Sequence, residues 1–335
     1  MGGQPQLIEV LTMTKAKITI IGLDLLGQSL GLALKQSDGD FILVGHDPDP
    51  DATRSAKRAG AVDRTEWNLH NACDEASLLI TTTPLQELEE LLRQVQEDLA
   101  PGAVIVAVTD VLGPAQEIAR RALSGGHFVA IHPVLTQIGE LLAPSGQLFQ
   151  GAQICIASSL ETAPAALELI NNLVGSLEAK PLYIDPTEHD GIISLLEQLP
   201  KLMGAALMQV SSQASGWRDG QKLAGRTFAH STDVGEDAAA LATALHANRL
   251  HLSRSLDALE EALAHWRGLL EQADRAALEE GLAQVVEQRR QWARNVELKE
   301  WEPPLTPPTE DQPGLFRQMF FGDLFRSRRR EPEKE

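Results

Sequence analysis

Lys17-Ile18-Thr19-Ile20-Ile21-Gly22-Leu23-Asp24-Leu25-Leu26-Gly27-Gln28-Ser29-Leu30-Gly31-Leu32-Ala33-Leu34 decides how the rest of the chain is read. Ile18, Ile20 and Ile21 form a short β-branched run that Gly22 ends. Beyond it the apolar residues fall at helical spacing, at Leu26, Leu30, Ala33 and Leu34. The pattern is a buried strand, a tight turn and a helix. In a βαβ unit such a turn presents backbone N–H groups and a helix N-terminus to an anion, usually the diphosphate of a dinucleotide. Within the fingerprint G-x-G-x-x-G, Gly22 and Gly27 hold the first and third places and Asp24 holds the second.

Outward from this turn, Phe41-Ile-Leu-Val-Gly45 reads as a second strand, followed by His46 and Asp47. Asp47 stands about 25 residues beyond Gly22, close to where an acidic side chain binds the adenosine ribose hydroxyls. A carboxylate there repels a 2′-phosphate, so the expected cofactor is NAD rather than NADP. The run Asp47-Pro-Asp-Pro-Asp51 is equally good turn and N-cap chemistry. Further strands are expected at Ser77–Thr83, stopped by Pro84, at Ala103–Val108, His127–Ile131, Gln153–Ala157 and Pro181–Ile184. Helices are expected over Ala52–Ala59, Leu85–Leu99, Pro114–Leu123 and Pro164–Val174. Alternation of this kind predicts an α/β, Rossmann-like, doubly wound and mostly parallel sheet. Ligands then gather at the carboxyl ends of the strands, where Gly22, Asp47, Thr83, Asp110 and His132 fall.

From Pro186 no strand signal returns. Leu252, Leu256, Leu259, Leu263, Trp266 and Leu270 recur at alternating steps of four and three, and Leu269–Val296 carries the stripe on. This predicts an all-helical domain and a homodimer interface, the alternative being a cap packed only on its own sheet. The expected organisation is an N-terminal extension over 1–16, a dinucleotide-binding domain over 17–185, a helical substrate and dimerisation domain over 186–300 and a tail over 301–335. That tail holds a proline-rich linker and then Phe316, Phe320, Phe321 and Phe325 beside Arg326, Arg328, Arg329 and Arg330. It reads either as a docking helix for a partner groove or anionic surface, or as a segment that folds back on its own domain.

The 335 residues suffice for two domains, and the formal charge of −18 argues against nucleic-acid binding. Cys73 and Cys155 lie far apart in no CxxC pattern, as expected of buried reduced thiols in a cytoplasmic protein. No signal-peptide core and no apolar run of about 18 residues is present, so no transmembrane segment is expected. No metal site is assigned.

Taken in order, these motifs resemble the prephenate and arogenate dehydrogenases. Ile18–Lys35 resembles the family's opening, Val44-Gly-His-Asp-Pro-Asp-Pro50 its second strand and ribose turn, and Thr81-Thr-Thr-Pro84 its Ala-Thr-Pro. Val108-Thr-Asp-Val111 stands where the family has Asp-Val-Gly-Ser. His132-Pro133 matches its His-Pro, Asp185-Pro-Thr-Glu-His-Asp190 the entry to its helical domain, and Ala247-Asn248-Arg249 a later signature. The resemblance covers roughly residues 17–270. It implies an enzyme of tyrosine biosynthesis that oxidises prephenate or arogenate with NAD(P) and loss of CO₂. It also implies His132 as the catalytic base or acceptor, and Gly22, Gly27, Asp47, Thr83 and Pro84 as cofactor contacts. Arg226, Gln198 and Lys201 are the implied substrate contacts, and His189 is expected to be structural, capping or pairing at the domain junction.

Four departures from the family pattern fall at the site. Asp24 replaces a glycine; Gly113 stands near the place of an active-site serine; His132-Pro-Val-Leu-Thr136 replaces His-Pro-Met-Ala-Gly; and Glu197-Gln-Leu-Pro-Lys201 replaces Ser-His-Leu-Pro-His. They leave two function classes open, an oxidoreductase and a catalytically silent relative that acts as a binding or regulatory partner.

Overall fold

The computed structural model describes residues 15–37, 39–135, 143–159, 162–235 and 237–298. Most of the 1–16 extension, Thr136 and the whole 301–335 tail with its phenylalanines and arginines lie outside the described residues.

Eight strands form one sheet: β1 (Ala16–Ile21), β2 (Phe41–His46), β3 (Arg64–Thr65), β4 (Leu78–Thr81), β5 (Val104–Val108), β6 (His127–Val134), β7 (Gln153–Ser158) and β8 (Lys180–Tyr183). Their spatial order is β3-β2-β1-β4-β5-β6-β7-β8. The first six are parallel, β7 runs antiparallel to β6, and β8 is again parallel to β7. The strand order reverses between β1 and β4, which is the switch point where a doubly wound sheet opens a ligand crevice. Central strands buried on both faces need continuous apolar runs, and β5 and β4 are buried at every position.

Helices α1 (Leu25–Gln36), α2 (Pro50–Ala59), α3 (Leu69–Cys73), α4 (Leu85–Val95), α5 (Leu112–Ala122) and α6 (Pro164–Ser176) flank the sheet. They build two cores. One gathers Leu30 and Leu34 of α1 and Ile170 and Leu173 of α6 on the face lined by Ile18, Ile20, Ile80 and Val106. The other gathers Leu88, Leu92 and Ala119 against Leu79, Ile105 and Ala130. Alternate residues of each strand supply opposite faces, as the pleat demands. Cys73 and Cys155 are buried and unpaired. Burial pushes their thiols up to about 12 and about 11, so both stay protonated near neutrality.

After Pro186 the chain is helical through the last described residue: α7 (Pro186–Ile193), a π-helical turn (Ser194–Gln198), α8 (Leu199–Gln213), α9 (Trp217–Gly220), a 3₁₀ turn (Gln221–Leu223), α10 (Arg226–Ser231), α11 (Ala238–Ala247), α12 (Arg249–Glu271) and α13 (Arg275–Leu298). The last stripe is not continuous. Ala273 adopts φ +50°, and the Asp274 carboxylate then accepts the N–H groups of Ala276 and Ala277 as a cap for α13. The chain folds back there, and Gly281 of α13 packs on the Trp266 ring of α12. Two further elements lack a clear sequence signal: β3, only two residues long, and α3. No helix among the described residues is long and apolar enough to cross a membrane.

Close approach of backbone to helix fixes α1 against the loop after α2. A Cβ on Gly31 would lie 2.2 Å from the Ala61 carbonyl oxygen, whereas one on Gly125 would meet nothing within 4 Å. Gly31→Ala should therefore cost about 1–3 kcal/mol in urea unfolding, and Gly125→Ala should stay within about 0.5 kcal/mol. Equal effects would refute this packing.

Candidate active site

The glycine turn is built as its sequence requires. Gly22 sits at φ +88°, a conformation that strains other residues, and a Cβ there would lie 2.2 Å from the Thr82 hydroxyl. A Cβ on Gly27 would lie 1.9 Å from the Gly22 carbonyl oxygen. Only glycine fits either place, so α1 starts hard against the end of β1. This backbone cradle fits a dinucleotide diphosphate.

Two carboxylates flank the cradle. Asp24 caps α1: its Oδ1 accepts the Gly27 N–H at 2.8 Å and the Thr82 hydroxyl at 3.3 Å. It thus accepts an N–H of the helix N-terminus to which an incoming phosphate would also be drawn. The Asp47 carboxylate accepts the N–H of Leu23 at 2.7 Å and that of Asp49 at 2.8 Å, so it ties the end of β2 to the turn. Asp49, not Asp47, caps α2, through the Asp51 N–H at 2.9 Å. Thr83 holds the next strand end, with its N–H and hydroxyl both bonded to the buried Thr81 hydroxyl at 3.1 and 2.7 Å, and Pro84 opens α4.

Across the same edge, His132 lies near the carboxyl end of β6, buried. Its Nδ1 is 3.0 Å from His189 Nε2, and His189 Nδ1 is 2.9 Å from Asp190 Oδ1. Asp190 in turn accepts the N–H groups of Leu112 at 2.8 Å and Gly113 at 2.9 Å, at the N-terminus of α5. A Cβ on Gly113 would lie 2.8 Å from Asp190 Oδ2. Absence of a side chain at 113 is therefore what admits the carboxylate. On the other side, His132 Nε2 faces Glu197 Oε1 at 3.5 Å.

Glu197 and Gln198 lie on the π-helical turn. The Leu199 N–H bonds to the Ser194 carbonyl, five residues back, and Pro200 has no N–H with which to continue an α-helical ladder. Gln198 is buried; its Oε1 accepts the Asn248 side-chain amide at 2.8 Å, and its Nε2 is buried without a hydrogen-bond partner among the described residues. Asn248 also donates to the Asp190 carbonyl at 2.8 Å, closing a polar network beneath the site.

Burial sets the electrostatics. It drives the His132 imidazole down to about 3, with His189 and Lys201 pushing the same way, so the ring is neutral near pH 7. Burial also raises Glu197 and Asp110, against the downward pull of Lys201 on both. Lys201 thus acts on His132, Glu197 and Asp110 alike, with Glu197 beside the His132 ring. Arg226, exposed at the start of α10, is not among the charges that bear on them.

His189 and Asp190 are functional candidates that the sequence presents only as a domain junction. Pairing at that junction is the expectation the structure bears out. The partner is His132, 57 residues earlier, and no local spacing foretells that contact.

Comparison with known proteins places these features in a lineage. The family model described as prephenate dehydrogenase, nucleotide-binding domain, matches residues 30–183, beginning after the glycine turn. The one described as prephenate dehydrogenase, dimerization domain, matches residues 185–284. Prephenate dehydrogenase of Lactococcus lactis is 26% identical over 196 residues, 57% of this chain and 53% of that protein. The Bacillus subtilis enzyme is 26% identical over 201 residues, 58% of this chain and 53% of its own length. The chain thus spans about half the length of these curated relatives. Among solved structures, prephenate dehydrogenase from Aquifex aeolicus, in complex with hydroxyphenyl propionate and NAD+, superposes with a TM-score of 0.75 at 19% identity, covering 84% of this chain and 99% of that one. Synechocystis arogenate dehydrogenase gives 0.66 at 23%, covering 82% and 99%. These two likenesses establish the fold.

The cap at Asp24 has a measurable weight. Asp24→Ala should lower stability by about 1 kcal/mol, and Asp24→Gly by only a few tenths, because glycine is itself a tolerable N-cap. Urea unfolding checks the difference; no loss in Asp24→Ala would show that the capping bond contributes nothing.

Proposed function

The chain belongs to the prephenate dehydrogenase family, and from that premise we propose that it is an NAD-dependent oxidoreductase acting on prephenate or arogenate. The observation that carries this reading is His132, neutral and buried near the carboxyl end of β6, with Nε2 turned toward a cleft that also holds Lys201, Glu197 and Asp110. Bound NAD would supply the hydride acceptor for the pair of electrons that leaves the hydroxyl-bearing ring carbon.

The chain's own residues account for the rest. His132 Nε2 takes the hydroxyl proton as the carbon–oxygen bond becomes a carbonyl. The ring carboxylate leaves as CO₂; its bonding electrons make the ring aromatic, and the carbonyl oxygen, now a phenolate, takes back the proton that His132 held. Lys201 offers a cation to a substrate carboxylate, and the unpaired Gln198 amide offers a buried donor. Glu197, raised by burial, is more readily protonated than an ordinary glutamate, and in that form it donates a hydrogen bond instead of repelling an anion. Arg226 is proposed as a further carboxylate anchor. Gly22, Gly27, Asp47, Thr83 and Pro84 frame the cofactor side, with the 17–185 and 186–300 segments as cofactor and substrate domains.

The helical region supports a homodimer. Val210 is 71% exposed, Leu250 69% and Leu270 65%, on helices of the segment that matches a dimerisation domain. Sedimentation of the full chain at micromolar concentration should give twice the monomer mass, and a monomer would reject the assembly.

Asp24 favours a second reading, a silent relative. A carboxylate about 4 Å from a phosphate charge costs about 1 kcal/mol in water and about 4 kcal/mol at an effective dielectric near 20. Asp24→Gly should therefore bind NAD roughly fivefold to a thousandfold more tightly than wild type by calorimetry. Tight wild-type binding that Asp24→Gly leaves unchanged would remove the case for silence.

The decisive assay is NADH formation with prephenate and with arogenate. Turnover should appear with one of them, and His132→Ala should lower kcat/KM by about 10²–10⁴. Folded wild type that turns over neither, at saturating NAD, rejects the dehydrogenase reading.

A further inference from the structure

We propose that His189 and Asp190 are positioning residues, which fix His132 in the tautomer that leaves Nε2 bare and hold the charge that develops when Nε2 takes a proton. The catalytic part of this inference rests on the proposed function; the tautomer does not.

Backbone N–H groups only donate, so the Asp190 oxygens that meet Leu112 and Gly113 must both accept. A carboxylate at the N-terminus of α5 is also favoured by the helix dipole. Asp190 Oδ1 therefore accepts again from His189, whose Nδ1 must carry a hydrogen. A neutral imidazole with Nδ1–H has a bare Nε2. That nitrogen faces His132 Nδ1 at 3.0 Å, so His132 must be the donor. Neutral His132 is then left with its lone pair on Nε2, pointing at the cleft. With His189 neutral, the order runs from one end: two backbone amides set Asp190, Asp190 sets His189, and His189 sets His132. The two rings meet edge to face, 5.2 Å between centroids and 88° between planes, which aligns a ring N–H of one with the lone pair of the other.

The same chain answers a difficulty at the site. Burial makes an isolated His132 a poor proton acceptor near neutrality. When Nε2 gains a proton, the new positive charge lies one imidazole away from the Asp190 carboxylate, and the Nδ1–H···Nε2 bond strengthens toward it. The charged groups around the ring pair are Asp190 on α7, Glu197 on the π-helical turn, Lys201 on α8 and Asp110 at the end of β5. Asp190 alone is bonded to the ring pair on the side away from the cleft. Cys155, opposite His132 on β7, stays a neutral thiol.

The experiment is ¹⁵N NMR of imidazole nitrogens in the full chain without ligands, paired with steady-state kinetics. Wild-type His132 should be neutral, with a protonated Nδ1 and a bare Nε2, from about pH 5.5 to 8.5. His189→Gln can still accept the Nδ1 hydrogen through its side-chain carbonyl, and should keep that tautomer. Asp190→Asn can keep its side-chain oxygen between the Leu112 N–H and His189, so it should keep the tautomer and lose the negative charge that offsets a proton on Nε2. His189→Leu removes the acceptor and should leave the tautomer unselected. Loss of the tautomer should cut kcat by about 10²-fold or more while KM moves less than about threefold; the comparable loss of a tautomer-setting aspartate in serine proteases is about 10⁴. His189→Gln should retain most of kcat. A wild-type His132 with hydrogen on Nε2, or a charged ring at either position near pH 7, overturns the proposal. So does loss of the tautomer with undiminished kcat. The predicted wild-type tautomer in a protein that turns over neither substrate rejects the dehydrogenase reading and leaves the hydrogen-bond order standing.

Discussion

The Asp190 carboxylate, held by two backbone amides at the start of α5, is the constraint on which the candidate site depends. It belongs to the first helix after the sheet, and its partners belong to a helix of the sheet layer. One side chain therefore sets where the helical region meets the nucleotide-binding fold. The approach is possible only because residue 113 is a glycine. Buried carboxylates are costly unless fully hydrogen-bonded. Here two amides and an imidazole satisfy the carboxylate, and the Asn248 side chain bonds the carbonyl of the same residue. The departures around residues 113 and 197–201 thus form a connected polar network and are not scattered losses.

The cofactor side shows a different balance. Gly22 and Gly27 keep a turn that no other residues could form, yet Asp24 turns its carboxylate onto the Gly27 amide and Asp47 onto the Leu23 amide of that turn. Asp47 in this place is structural as it stands, tying β2 to the turn, and it retains the position from which a ribose could be read. Asp24 caps the helix whose N-terminus a diphosphate would share. Helix capping and anion binding draw on the same unpaired N–H groups, so under the proposed function stability and cofactor affinity would oppose each other at this residue.

Much of the fold was legible because it rests on local pattern. The β-branched runs, the glycine after β1 and the proline after β4 mark most of the strands to within a residue or two; β6 runs three residues past its expected end, through His132 and Pro133 to Val134, and the two-residue β3 carries no such signal. The antiparallel direction of β7 was not legible, since a short apolar run carries no direction. The reversal at Ala273 was hidden too, because neither glycine nor proline marks it; Asp274, the cap of α13, was the available sign. At the site, His132 and Asp24 stood out by position in a motif. The His132–His189 contact could not, because it joins residues 57 apart whose meeting is set by packing of α7 on α5. Gln198 was legible as a candidate donor, but its orphaned amide emerges only from the buried network around Asn248.

The π-helical turn at Ser194–Gln198 carries one residue more than an α-helix would need there. Each residue of an α-helix advances the rotation by about 100°. That surplus residue decouples the two ends of the long helix: α7 can keep Asp190 on α5 while α8 presents Lys201 to the cleft. Shortening the turn by one position would bring the helix back into phase and swing everything after it by roughly a quarter of a revolution. A change of helical phase at this turn would therefore reposition Lys201 without moving the Asp190 anchor that the other end holds on α5.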